Sequence, residues 1–206
     1  MTLDCIALAR SMPAWEAGDH ISIRATLGES VRRLAGAGAE FFVCPDNTAH
    51  LAPEEPGEDL ALPGLHLVAV VADRAAREGR RRVGLLGTTY TMDGPLYPRE
   101  PADRGIAAEV PDVGDRDLIN EINFEELVNG VFTEESRREY VRVIEGLAAR
   151  ACDAVALVCT EIPLLVTPEV SPLPTLDSTR LLARATFEVA VGRRDRPTWR
   201  GGPTGG

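Results

Sequence analysis

The sequence predicts an α/β protein built as two pseudo-symmetric three-layer α/β/α lobes with mainly parallel sheets and an active site in the cleft between them. Three observations lead there. The 206 residues, 44% hydrophobic and 26% charged, suffice for one or two compact units with a real core. The chain also repeats itself. Residues 34–48 (LAGAGAEFFVCPDNT) align without a gap on 147–161 (LAARACDAVALVCTE), setting Leu34 over Leu147, Glu40 over Asp153, Asp46 over Cys159 and Asn47 over Thr160. A repeat of this kind marks a duplicated unit. Finally, each copy runs from a helix end through a short turn into an apolar, β-rich run, Phe41-Phe42-Val43 and Val155-Ala156-Leu157-Val158. Such runs suit strands whose two faces are both covered by helices. Both break into polar residues at the carboxyl end, where open parallel sheets place their ligands.

A second pair follows in nearly the same register. Leu62-Pro63-Gly64-Leu65-His66 precedes an Ala-rich helix over about 68–79, and Leu173-Pro174-Thr175-Leu176-Asp177 precedes another over 178–191. Arg82-Val83-Gly84-Leu85-Leu86-Gly87 reads as a strand ending in Thr88-Thr89. Residues 115–151 read as two helices, the second opened by Thr133 as N-cap with Glu134 and Glu135 in its first turn, where acidic groups complement the helix dipole. Residues 53–59 and 95–104 read as surface loops. The expected lobes are 1–80, completed by the last helix (178–192), and 81–177. The Gly-, Pro- and Arg-rich 193–206 is expected to be a disordered tail.

Composition excludes several functions. A net charge of -10 opposes a general grip on nucleic-acid phosphates. All 22 basic residues are Arg, so neither a pyridoxal-phosphate Schiff base nor a P-loop lysine can form. Cys5, Cys44, Cys152 and Cys159 lack the pairing of a disulfide frame; Cys5 and Cys152 are expected to serve packing. His20, His50 and His66 lack metal-ligand spacing, so no metal is expected. Without a secretory signal or an apolar run of about eighteen residues, no membrane partner and a cytoplasmic setting are expected.

Two such lobes place Asp46-Asn47-Thr48 on one wall of a cleft and Cys159-Thr160-Glu161 on the other. A planar intermediate between them would meet an acid/base on each face, as inversion at a carbon acid requires. The sequence resembles the aspartate/glutamate racemase family, within the group that also holds hydantoin racemases, maleate isomerases and arylmalonate decarboxylases. The resemblance rests on Asp46-Asn47-Thr48-Ala49-His50, Gly84-Leu85-Leu86-Gly87-Thr88 with Tyr90-Thr91-Met92, the FTEESR stretch at 132–137, and Cys159-Thr160-Glu161-Ile162-Pro163-Leu164-Leu165. It implies a cofactor-independent isomerase, an amino-acid racemase or epimerase acting on aspartate, glutamate or a related small amino acid by proton abstraction and return at Cα, and a homodimer. By position it implies that Cys159 is a catalytic base with a lowered pKa, and that Asn47, Thr48, Thr88 and Thr160 hold the substrate carboxylate. His50 and Glu161 stand behind them.

Two departures from the family pattern are visible. Asp46 stands where the family commonly has its first catalytic Cys; a carboxyl of ordinary pKa about 3.9 accepts a proton far more readily than it donates one. The family's first strand and Gly-Gly-Met-type loop have no counterpart ahead of the region of Leu3 to Leu8, so the first lobe is expected to lack a strand. Capping remains an alternative for Asp46. Alternatives for the whole are a single-Cys decarboxylase or cis-trans isomerase of small dicarboxylates, or an inactive homologue.

Overall fold

The sequence duplication becomes a structural one. The computed structural model describes residues 1–204. In chain order it forms α1 (Leu8–Glu16), α2 (His20–Gly36), β1 (Phe42–Val43), a 3-10 turn (Thr48–Leu51), β2 (Gly64–Leu65), α3 (Leu67–Arg77), β3 (Arg82–Leu86), α4 (Thr89–Met92) and α5 (Leu96–Ala102). It continues with β4 (Ala107–Glu109), α6 (Val113–Glu125), a second 3-10 turn (Leu127–Asn129), α7 (Glu134–Ala149), β5 (Ala154–Leu157), α8 (Ile162–Leu165), β6 (Thr175–Asp177) and α9 (Ser178–Ala190). β1 and β2 form one parallel pair, and a four-stranded parallel sheet has the order β4-β3-β5-β6.

The two copies of the repeat share their strand register. Phe42 faces Gly64 in the first copy and Val155 faces Thr175 in the second. The amide of Phe42 reaches the carbonyl of Pro63 at 2.9 Å, and that of Val155 reaches Pro174 at the same 2.9 Å. His66 and Asp177 occupy matching places as N-caps, accepting from the amides of Ala69 and Arg180. Even the turns into β1 and β5 agree: Gly38 (φ +84) and Ala151 (φ +65) both take the left-handed conformation.

The helices at the ends of the copies exchange places. The outer face of α3 (Val68, Val71, Ala75) covers Val83, Leu85, Ala154, Ala156 and Leu176 of the four-stranded sheet. In α9, Leu182, Ala185 and Val189 pack instead with Leu65, Phe41 and Val43 around the first pair. α9 thus packs against the first strand pair, while α3 reaches across to the larger sheet. The other face of the large sheet, with Leu86, Val155 and Leu157, is closed by Ile119 and Ile122 of α6 and by Tyr140, Val143, Ile144 and Leu147 of α7. Strands covered on both faces must be apolar throughout, which is why β3 and β5 read as continuous hydrophobic runs.

Several local expectations need correction. Residues 95–104 are not a surface loop: α5 buries Leu96, Tyr97, Glu100 and Pro101. Pro98 misled the reading, but it lies in the first turn, where a helix needs no amide donor. The segment from 193 does not hang free over its described length. The amides of Leu60 and Gly64 donate to the carbonyls of Arg200 and Trp199, both at 2.8 Å, and Trp199 bridges Gly64 in antiparallel fashion. Its indole stacks on His50 with centroids 5.9 Å apart and meets His66 edge-on at 4.8 Å. Composition speaks for a solvated tail, but one large aromatic with a groove to fill outweighs it. Gly205 and Gly206 lie outside the described residues. Cys152 joins the core as expected, whereas Cys5 is exposed.

Candidate active site

Strand order locates the site. From β3 the chain goes first to β4 on one side and later to β5 on the other, so the carboxyl ends of β3 and β5 flank a topological switch point, where open sheets leave a crevice. Thr88 follows β3 there and Cys159 follows β5. Gly87 lets the two strand ends close up: a Cβ on it would come within 2.6 Å of Val158 Cγ2. Asp46 follows β1 in the other half, and a knot of hydroxyls ties the halves together. Thr48 Oγ1 lies 3.3 Å from Thr88 Oγ1 and 2.8 Å from Thr91 Oγ1, and Thr88 and Thr91 are 3.3 Å apart.

Cys159 Sγ donates to Glu161 Oε2 at 3.2 Å, and Thr160 Oγ1 donates to the same oxygen at 2.6 Å. Burial and the Glu161 carboxylate, with a further contribution from the charge of Asp46, push the thiol up to about 12. This reverses the lowered pKa expected from the sequence: the charges facing Cys159 are negative, so it rests as the protonated thiol. Asp46 is also raised, first because the surrounding protein desolvates its carboxylate and to a smaller extent by the charge of Glu161, while the amides of Ala49 and Thr48 oppose the rise. The Asp46 side chain is nonetheless open to solvent and Cys159 is half-buried.

Behind these groups stands a scaffold. Asp46 Oδ1 accepts from the amide of Ala49 at 3.1 Å, so the capping role foreseen for it is present, with Oδ2 outside that bond. His50 Nε2 accepts from the amide of Leu67 at 3.2 Å, which leaves Nδ1–H to donate to the Asp46 carbonyl at 2.8 Å. Burial, with the neighbouring His66, drives His50 down to about 3, so it is a neutral strut under Asp46. Asn47 is 3% exposed, donates to Ser178 Oγ at 3.0 Å and accepts from Tyr97 OH at 2.6 Å. Of the four residues expected on the carboxylate, Thr48 and Thr88 present hydroxyls together, while Asn47 and Thr160 are engaged with protein groups.

Sequence reading missed four contributors. Thr91 completes the hydroxyl knot. Asn120 accepts from the Thr89 amide at 3.0 Å, closing the start of α4 as an anion site. Tyr97 and Ser178 hold Asn47. Thr91 lay inside a quoted motif, but Tyr97 lay in the misread loop, and a lone Asn or Ser carries no local signal. The FTEESR stretch is scaffold: Thr133 and Ser136 hydroxyls meet Glu126, and Arg137 Nε donates to the Leu165 carbonyl at 3.1 Å, anchoring the loop after Cys159.

Metal-ligand types gather at Glu54, His66 and Glu100, all buried and within 4.8 Å of one another. The cluster carries its own cations, however. Arg99 Nη2 lies 2.5 and 2.7 Å from the Glu54 oxygens, and Arg104 Nη1 lies 3.3 Å from Glu100. His66 Nδ1 accepts from Ala69, so the proton is on Nε2, which faces Glu54 at 3.0 Å. This is an ion-pair network joining α5 to the loop after the first 3-10 turn. Two cavities, of about 350 Å³ between α3 and α9 and about 380 Å³ beside Cys5 and Arg33, also lie away from Asp46 and Cys159. Neither brings together groups for proton transfer at carbon.

Residues 5–186 match the family model for Asp/Glu/hydantoin racemases. The broad-specificity amino-acid racemase RacX of Bacillus subtilis is 22% identical over 178 residues, covering 83% of this chain and 74% of that protein. Among solved structures, a Yersinia pestis protein described as an Asp/Glu racemase superposes with TM-score 0.81 at 32% identity, over 92% of this chain and 83% of that one. An aspartate racemase homologue of Pyrococcus horikoshii gives TM-score 0.71 at 28% identity, over 82% and 74%. With the duplicated strand ends, the crevice between them and a matching model across nearly the whole length, the chain belongs to the Asp/Glu/hydantoin racemase family.

Proposed function

We propose that the protein is a pyridoxal-phosphate-independent amino-acid racemase or epimerase that inverts Cα by removing its proton on one face and returning a proton on the other. The observation that supports this reading is that Asp46 and Cys159 follow β1 and β5 at equivalent positions of the duplicated unit.

In the resting protein the two groups hold opposite states. Cys159 carries its proton, bonded to Glu161. Asp46, as carboxylate, takes the α-proton from one enantiomer; Cys159 gives its proton to the opposite face of the resulting carbanion, which leaves a thiolate and a protonated Asp46. Return to the resting state moves one proton from Asp46 to Cys159, through solvent or the reverse reaction. The desolvation that raises Asp46 assists it as a donor in that direction. The Thr48 and Thr88 hydroxyls, held from behind by buried Thr91, donate to the substrate carboxylate and to the enolate charge as it develops. Asn47 and His50 position Asp46, and Thr160 with Glu161 positions the thiol. The dimeric state and the cytoplasmic setting belong to the same proposal, from family resemblance and the four free thiols.

A thiol that rests protonated also suits the decarboxylase alternative, which needs a proton donor. The carboxylates of Asp46 and Glu161 oppose the dianionic substrate of that reaction. The test is chiral chromatography after incubation with each enantiomer of a panel of amino acids. Inversion by the native protein, lost in Cys159→Ala, is expected. Full inversion by that variant removes the assignment, and carbon dioxide release from a malonate without any inversion favours the alternative.

A further inference from the structure

We infer that the segment following α9 is a strap that positions Asp46, and that Trp199 is its positioning residue, acting through His50. This rests on the racemase reading and adds to it a residue that lies beyond 5–186, the part of the chain matching the family model.

The strap is tied down along its length. The amides of Gly64 and Leu60 donate to the carbonyls of Trp199 and Arg200, and Arg200 Nη1 returns a bond to the Leu60 carbonyl at 3.0 Å. The amide of Gly202 donates to the Pro53 carbonyl at 2.9 Å. Trp199 Nε1–H donates to the Gly202 carbonyl at 2.9 Å, so the strap curls over its own indole and fixes the ring's orientation. The ring is then wedged between Phe42 of β1, at 6.1 Å, and the edge of His66, and lies within 17° of parallel to His50. These separations are the ones aromatic pairs favour.

His50 is where the strap meets the site. Its Nε2 accepts from the Leu67 amide at the start of α3, and its Nδ1–H donates to the Asp46 carbonyl. Both bonds lie in the plane of the imidazole, so they leave the ring free to rock about the line joining its nitrogens. A flat indole on its face stops that rocking. The Asp46 carbonyl is thereby held, and with it the carboxylate whose Oδ1 caps Ala49. The shape of Trp199, not only its volume, is what the arrangement uses.

The test therefore compares Trp199→Leu, which keeps apolar bulk but loses the flat face, with Trp199→Phe, which keeps a flat ring. Native-state amide exchange is read at Leu67 and Ala49, whose bonds run to His50 and Asp46, with Ser136 in the second half as reference. Trp199→Leu is expected to speed exchange at least ~10-fold at Leu67 and Ala49 and to leave Ser136 within ~3-fold, the signature of local opening. Trp199→Phe is expected to restore protection at both. Exchange of the α-proton in D2O is then followed for each enantiomer of alanine, aspartate and glutamate, with Asp46→Asn marking the enantiomer that Asp46 deprotonates. Trp199→Leu is expected to slow that enantiomer at least ~5-fold more than its mirror image, since a displaced base loses rate steeply. Native protection in Trp199→Leu, equal loss at all three amides, no rescue by Phe, or equal slowing of both enantiomers overturns the inference and leaves the racemase reading standing. If the native protein exchanges none of these amino acids, the racemase reading falls, and protection at Leu67 and Ala49 still decides whether Trp199 holds His50 and Asp46 in place.

Discussion

Replacing Glu161 by Gln removes the negative charge next to the thiol while keeping an acceptor oxygen in about the same place. The unscreened size of that effect is set by the 3.2 Å separation of Oε2 and Sγ. At an effective dielectric of about 20, Coulomb's law gives roughly 5 kcal/mol, or nearly four pH units. The thiol rises only from 9.0 to about 12 in all, with burial as the leading cause. The Coulomb figure is therefore an upper bound, and with solvent screening of a half-exposed pair the expected Glu161 share is about one pH unit. At fixed pH below the thiol's titration, the variant should hold roughly tenfold more thiolate. The assay is the rate of iodoacetamide alkylation at Cys159 between pH 7 and pH 11, read peptide by peptide, with core Cys152 as the internal reference. The native protein should show no thiolate plateau near pH 8, and the variant's profile should move to lower pH by about one unit. An unchanged profile, or one moved upward, refutes the view that Glu161 holds the thiol in its acid form.

Three further outcomes follow. His50 has a folded pKa of about 3 against an ordinary 6.5, so below pH 6.5 the unfolded chain binds a proton that the fold refuses. Stability should fall as pH drops through that window, at up to about 1.4 kcal/mol per unit and roughly 5 kcal/mol in total from this residue. In His50→Asn the denaturation midpoint should be lower at pH 7 but less steep between pH 6.5 and 4; an equal slope contradicts the buried neutral imidazole. Tyr97→Phe leaves Asn47 Oδ1 without its donor in a fully buried place. It should cost about 1–3 kcal/mol in urea unfolding and depress turnover through Asp46's neighbour; neutrality in both contradicts the positioning role. Ala151→Gly relieves a left-handed residue at the turn into β5, where the first copy already has Gly38. A gain of about 1 kcal/mol is expected in the same unfolding experiment, and a loss contradicts it.

What the sequence made legible was what the duplication repeats. The runs at Phe42 and Val155, the turns before them and the polar strand ends carry one pattern twice, so the repeated strands and the candidate residues at their ends were readable without coordinates. Thr133 as N-cap was equally plain, because its partner amide at Ser136 is three residues away. The misses depend on partners distant in sequence. Tyr97 finds Asn47 fifty residues back, within a Pro-broken segment that hides a short helix. Trp199 docks against histidines more than a hundred residues earlier. The state of Cys159 was misjudged for a related reason. A motif names the thiol and its neighbours, but only the fold shows that Glu161 turns back onto the sulfur.

The central claim is that Asp46 and Cys159 serve opposite faces of one substrate. Solvent-deuterium exchange of each enantiomer taken separately, in Cys159→Ser and in Asp46→Asn, tests it most directly. The account predicts complementary losses: inversion disappears in both variants, but each still exchanges the α-proton of the enantiomer that faces its remaining group. Variants that exchange both enantiomers equally, or that keep inverting at the native rate, would contradict it.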